Sequence, residues 1–220
     1  MFDVRNVTCD TWYRIKDIDI RVIVKMGKIF CLIGKSATGK DTIYNRILED
    51  KSLGLQKIVL YTTRPIREGE QDGVEYHFTS VETLHELQAE KKVIECRCYH
   101  TIHGDWYYYM VKDHQIDLDK KDYLVIGTVE SYTMIRDYFG SEKVVPIYID
   151  LDDGIRLERA LNRERKQEYP KYEEMCRRFL ADSKDFSPEN LKKAKIEKIF
   201  FNNDLEHCIR EISDYMKSLT

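Results

Sequence analysis

Nine residues, Gly34-Lys35-Ser36-Ala37-Thr38-Gly39-Lys40-Asp41-Thr42, carry the most specific chemistry of this chain. They read G-x-x-x-x-G-K, follow a short apolar run (Lys28 to Ile33) and open a helical pattern. Gly34 and Gly39 let the backbone curl until several N–H groups point inward. The positive end of the following helix adds to the field on an anion. Lys40 reaches the outer phosphates of a bound polyphosphate as a point charge. The spacing therefore predicts a phosphate-binding loop. The plainer reading is a strand–turn–helix corner that happens to hold two glycines. The lysine and the strand–helix context argue against it. Position 41 departs from the motif, with Asp where a Ser/Thr hydroxyl usually reaches Mg²⁺. A carboxylate also suits that hard cation. The same acid is favoured in a first helical turn by the helix dipole alone, and both readings stay open. As a ligand, Asp41 places negative charge beside phosphates, so nucleotide binding should then require the metal.

A second anion site is written into Tyr61 to Tyr76. Arg64 and Arg67 lie three apart, with Pro65 stiffening the segment between them. Two guanidinium forks can hold one dianionic phosphate, and Tyr76 adds a hydroxyl donor. The bland alternative is a solvated polar loop. Farther along, Arg156, Arg159 and Arg163 recur at i, i+3, i+7 and share one helical face. That face reads either as solvated and balanced by Glu158, Glu164 and Glu168, or as a phosphate clamp. The phosphate loop tips Arg159 and Arg163 toward clamping. Arg156, Arg165 and Arg177 stay with the solvated reading.

The phosphate loop followed by T-T-R-x-x-R-x-G-E-x-x-G-x-x-Y-x-F, from Thr62 to Phe78, resembles the guanylate kinase family. The resemblance runs from Met26 to about Leu219 and excludes the first 25 residues. It implies a P-loop nucleoside monophosphate kinase that carries a phosphoryl group from ATP, with Mg²⁺, to GMP. By that resemblance, Gly34 to Thr42 and Asn202 (in Phe201-Asn202-Asn203-Asp204-Leu205) bind ATP. Arg64, Arg67, Tyr76 and Tyr107 grip the acceptor phosphate, and Glu95 reads the guanine edge. Thr128 stands in the acceptor site. Lys40, Arg159, Arg163 and Arg178 neutralise the phosphoryl group in transit, and Asp41 is the candidate metal ligand.

The departures from the family fall on base recognition. Its members carry D-x-D where this chain has Ile126-Gly127-Thr128, so both acids are missing. Leu60 and Tyr109 replace small hydroxyl residues. The stretch Arg97 to Ile102 lengthens the base-pocket edge, and Glu164 to Lys171 lengthens the lid. A lost donor–acceptor pair to the base costs about 1–3 kcal/mol of discrimination. Glu130, just beyond Thr128, is the candidate replacement acid. Another acceptor, a different nucleotide or a phosphorylated sugar, is therefore a second enzymatic reading. A non-catalytic phosphopeptide-binding module is a third, against which the retained phosphate loop counts.

The elements that must position these residues alternate in type. Strand patterns at Lys28–Ile33, Lys57–Tyr61, Val74–Phe78, Val93–Tyr99, Trp106–Val111, Tyr123–Gly127, Val144–Ile149 and Lys198–Phe201 interleave with helical ones. The helices are Asp41–Glu49, Val81–Glu90 (Ser80 as N-cap), Glu130–Phe139 (Gly140 closing it), Asp153–Lys166, Tyr172–Lys184 and Leu205–Ser218. This alternation predicts an α/β fold: a three-layer, parallel-sheet P-loop core. The resemblance adds an inserted NMP-binding subdomain and a helical lid. The expected boundaries are an extension over 1–25 with alternating Ile18–Val24, core over 26–61 and 122–220, insertion over about 62–121, and lid over about 153–178.

Composition sets the remaining limits. With 36 Lys+Arg against 39 Asp+Glu, the net charge of −3 argues against a general nucleic-acid binder. No apolar run approaches membrane-span length, and the N-terminus lacks a signal-peptide pattern. The expectation is a cytoplasmic protein, monomer or homodimer, that meets small-molecule nucleotides rather than nucleic acid or membrane. Its six cysteines should be reduced thiols. Cys96 and Cys98 share one face of a strand, and a C-x-C pair alone is a weak zinc signal.

Overall fold

β1 (Ile29–Gly34) is buried along its whole length, which is why its six residues are apolar with no alternation. Its side chains divide between two cores: Ile29, Cys31 and Ile33 to one face, Phe30 and Leu32 to the other. The computed structural model describes residues 26–101 and 104–220. The expected extension over 1–25, with its Ile18–Val24 strand, lies outside the described residues.

Five strands form a parallel sheet in the order β2-β7-β1-β8-β9. They are β1, β2 (Gln56–Lys57), β7 (Tyr123–Gly127), β8 (Val144–Asp150) and β9 (Ile199–Phe201). Ile33 pairs with Gly127 and Gly34 with Ile149. The carboxyl ends of the three central strands therefore open on one edge, where α/β sheets bind ligands. α1 (Lys40–Glu49) and α7 (Leu205–Leu219) cover one face through Ile43 and Ile47, and through Cys208, Ile212 and Met216. The three α7 residues recur every fourth position, a continuous stripe down one side of the helix. α3 (Val129–Phe139) covers the other face with Tyr132 and Ile135.

The chain leaves this sheet after β2 and re-enters it at β7. Between them lies a second sheet, β4-β3-β6-β5, built from β3 (Tyr61–Thr62), β4 (His77–Phe78), β5 (Val93–Thr101) and β6 (Gly104–Val111). α2 (Val81–Ala89) seals it by packing Leu84 against Tyr109 and Val111, and the Ser80 hydroxyl caps that helix on Thr83 N–H. The strand expected over Lys57–Tyr61 is instead two short pieces in different sheets. Its apolar run, Ile58 to Leu60, is buried in the crossing between them, so hydrophobicity marked burial rather than one strand. α4 (Asp153–Glu164) and α5 (Tyr172–Asp185) follow β8. A short helix, α6 (Pro188–Lys193), which the sequence reading did not place, leads toward β9. No described helix is long and apolar enough to cross a membrane.

Candidate active site

The loop between β1 and α1 is locked from behind. A Cβ on Gly34 would fall 2.6 Å from the Ile149 carbonyl, so no side chain fits. Gly39 caps α1 at φ 89, a left-handed conformation that glycine adopts without strain. Thr38 is fully buried, and its hydroxyl donates to the Lys35 carbonyl at 2.9 Å. Asn202 is also buried, and its Nδ2 donates to the Thr38 carbonyl at 2.7 Å. Asn202 therefore braces the loop from inside, while its exposed neighbour Asn203 lines an adjacent cleft.

Ser36 is held at both poles by the helices after β8. Its amide donates to Asp182 Oδ2 at 2.7 Å, and its carbonyl accepts from Arg156 Nε at 3.0 Å. Arg156 also bonds Asp153 and, at 3.1 Å, Asp182, and it lies 4.9 Å from the Phe179 ring centroid. It is fully buried. The solvated reading of Arg156 is thereby corrected: its guanidinium exchanges water for two carboxylates, a backbone carbonyl and a ring face. The i, i+3, i+7 register with Arg159 and Arg163 was the available signal, whereas nothing in the sequence pointed to Asp182. Lys35 turns aside to Asp153 at 3.3 Å and Asp150 at 3.9 Å, into a second cleft of about 450 Å³.

Lys40, Asp41 and Thr42 open with Ala37 and Gly39 onto a cleft of about 310 Å³ whose far wall is Arg159 and Arg163. Three cations thus surround a space roofed by the amino end of α1, the arrangement that a polyphosphate requires. Asp41 is exposed in the first helical turn. Arg178 stands apart. Its Nε donates to Glu174 at 2.8 Å on its own helix, and Arg177 and Arg178 together hold the Glu174 carboxyl well below its ordinary value, at about 2.

On the second sheet, Arg64 is buried, with its fork closed on Glu70 at 2.6 and 2.7 Å. That pairing lowers the Glu70 carboxyl to about 2. Among the described residues, the buried Arg64 Nε has no hydrogen-bond partner. The guanidinium lies 5.2 Å from the Tyr76 ring centroid and 5.3 Å from that of Phe78. Tyr107 ties β6 to this loop: its carbonyl accepts from the Thr62 hydroxyl at 2.9 Å, and its amide donates to the Thr63 hydroxyl at 3.0 Å. Arg67 is exposed at the rim. Tyr44 lies one turn beyond Lys40 on α1 and packs against the core beneath that helix. Burial first, then the neighbouring Tyr76, pushes its phenol up to about 12.

The residues expected to read a base are otherwise engaged. Glu95 is buried, and both its oxygens accept from Arg97, at 3.0 and 3.2 Å. Burial raises its pKa, an effect that Arg97 opposes and Glu130 reinforces. Thr128 caps α3 in a reciprocal pair with Ser131. Tyr109 is fully buried, its hydroxyl 2.6 Å from that of Thr79.

The comparisons with known proteins agree in one direction. Residues 26–219 match the family model described as guanylate kinase. The guanylate kinase of Neisseria gonorrhoeae is 41% identical over 83 residues, a match spanning 38% of this chain and 38% of that protein. That of Mesomycoplasma hyopneumoniae is 26% identical over 192 residues, 86% of this chain and 93% of that protein. The crystal structure of guanylate kinase from Anaplasma phagocytophilum superposes with a TM-score of 0.58 at 23% identity. It covers 88% of this chain and 86% of that one, a likeness of fold. With 194 consecutive residues matched by the family model, this chain belongs to the guanylate kinase family.

Proposed function

We propose that the chain transfers the terminal phosphoryl group of ATP to a nucleoside monophosphate, GMP foremost. The observation that carries this reading is the single cleft in which Lys40 of the phosphate loop faces Arg159 and Arg163 of α4. The reaction asks little covalent chemistry of the protein. It needs in-line placement, charge neutralisation and exclusion of water. The loop amides and Lys40 hold the outgoing phosphates. Arg159 and Arg163 neutralise the group in flight, and Arg178 joins them when lid closure frees it from Glu174. Arg64, Arg67, Tyr76 and Tyr107 hold the acceptor phosphate.

The exposed carboxylate of Asp41 and the hydroxyl of Thr42 are oxygen donors at the cleft mouth, and they fit a hard divalent cation such as Mg²⁺. Bound there with ATP, it would supply charge neutralisation on the phosphates. Nucleotides are the proposed partners, and the cytoplasm is the proposed location.

A second reading is favoured by one contact. Glu95, the carboxylate expected to meet guanine, is closed on Arg97, and the neighbouring strand end offers Gly127 and Thr128 in place of acids. An acceptor without a guanine edge suits that pocket. A coupled assay of ADP release with GMP, dGMP, AMP, UMP and CMP, with and without Mg²⁺, separates the readings. GMP should give the highest kcat/KM. A rate with GMP no higher than with the others removes the first reading, and no acceptor-dependent rate with any of the five removes every nucleotide acceptor.

A further inference from the structure

Beside Tyr107 of the acceptor site, the antiparallel β5–β6 pair carries three side chains that phosphoryl transfer does not use. In its register Cys98 stands opposite Tyr107 and His100 opposite Asp105. Side chains two apart on a strand share a face, as do directly paired residues. Cys98, His100, Asp105 and Tyr107 therefore project from the same side of the sheet.

Three of these residues offer ligands of different softness. The Cys98 thiol, a His100 ring nitrogen and an Asp105 carboxylate oxygen all lie within 4.8 Å of one another. His100 Nδ1 and Asp105 Oδ1 are 2.7 Å apart. All three side chains are exposed, His100 most of all. First-row metals bind such atoms at about 2.0–2.3 Å, so the ligands must close by roughly 1 Å. Rotation of exposed side chains on a fixed backbone supplies that.

We propose that Cys98, His100 and Asp105 form a binding site for a thiophilic divalent metal of the zinc class. The donor set selects the class: thiolate and imidazole suit Zn²⁺ and Co²⁺, whereas Mg²⁺ takes oxygen ligands. Three protein ligands leave the fourth tetrahedral position to water. Metal binding also displaces the thiol proton. The inference stands on this strand pair alone and does not depend on the acceptor or on the reaction.

Cobalt is the probe. Co²⁺ is titrated into the full chain, kept reduced with a phosphine, and followed by absorption. The expected result is one equivalent bound, with a thiolate-to-cobalt charge-transfer band and the visible bands of tetrahedral cobalt. Zn²⁺ then bleaches both. Cys98→Ser abolishes the charge-transfer band. Cys176→Ser, which removes the exposed thiol of α5, leaves it intact. His100→Ala weakens binding by at least about tenfold, since losing even an outer partner of a ligand costs about 10–100-fold. A native chain without the band at micromolar cobalt overturns the proposal. So does a band that survives in Cys98→Ser or is lost in Cys176→Ser, or a His100→Ala variant that binds as tightly as the native chain.

Discussion

Arg156 and Asp182 are bonded to each other at 3.1 Å and grip opposite poles of Ser36, the first through its carbonyl and the second through its amide. The phosphate loop is thus fastened to α4 and α5 by an ion pair whose guanidinium is fully buried and whose carboxylate is largely so. Removing one partner of such a pair strands the other charge, at a cost of about 3–5 kcal/mol. Arg156→Met should lower unfolding stability in urea by that amount, and adding Asp182→Asn should restore part of it. A single variant within about 0.5 kcal/mol of the native chain would show that the pair carries no structural weight.

Arg64 and Glu70 give a pH signature. The Glu70 carboxyl sits at about 2 in the folded chain against an ordinary 4.5, because the Arg64 fork donates to it. A depressed acid contributes stability that is fully present above 4.5 and is lost as pH falls through about 2. Hydrogen bonds to charged groups contribute about 1.5–3 kcal/mol. Urea unfolding of Glu70→Gln should therefore trail the native chain by that order at neutral pH. The two curves should converge below pH 4.5. Parallel curves down to the acid limit would exclude this linkage.

Asp41 sets the metal requirement. An exposed carboxylate beside Lys40 repels the phosphates unless a cation bridges them. Chelating Mg²⁺ should weaken ATP binding to the native chain by roughly tenfold or more, and to Asp41→Ser by clearly less. Calorimetry with and without chelator checks this. Equal Mg²⁺ dependence in both proteins would assign Asp41 to the helix dipole alone.

Glu95 tests acceptor choice. Both its oxygens are closed on Arg97, whose charge opposes the burial that raises its pKa. If Glu95 reads guanine, Glu95→Gln should lower kcat/KM for GMP relative to AMP by about 5–150-fold, the equivalent of about 1–3 kcal/mol. Arg97→Met strands Glu95 without its counter-charge and should lower the same ratio. An unchanged GMP-to-AMP ratio in both variants would remove Glu95 from base recognition.

The legible parts of the fold were those fixed by local pattern. The apolar run of β1, the Gly39 cap, the Ser80 and Gly140 helix ends and the β7 strand could be read because spacing alone encodes them. The crossing at Ile58–Leu60 could not, since burial in a chain crossover and burial in a strand select the same residues. Helix α6, only six residues long, offers too short a period to read. At the site, the loop and the cleft arginines were visible as motifs. The roles of Arg156, Asp182 and Arg97 were hidden. Arg156 and Asp182 meet across a tertiary contact, and each alone in sequence looks like solvated surface; Arg97 and Glu95 are only two apart, and it is their burial that spacing does not show. Cys98, His100 and Asp105 were hidden for a related reason, because strand register, not sequence distance, sets their convergence.

In the proposed kinase the amide cradle at Lys40 and the guanidinium cradle at Arg64 and Arg67 serve one cleft together. The direct measurement is calorimetric binding of a bisubstrate, adenosine and guanosine joined through a pentaphosphate. One molecule that fills both cradles gains from effective concentration, so it should bind about 10²–10⁴-fold more tightly than ATP or GMP alone. Lys40→Met and Arg67→Ala should each erase most of that gain. Binding no tighter than ATP, and unaffected by Arg67→Ala, would contradict the account.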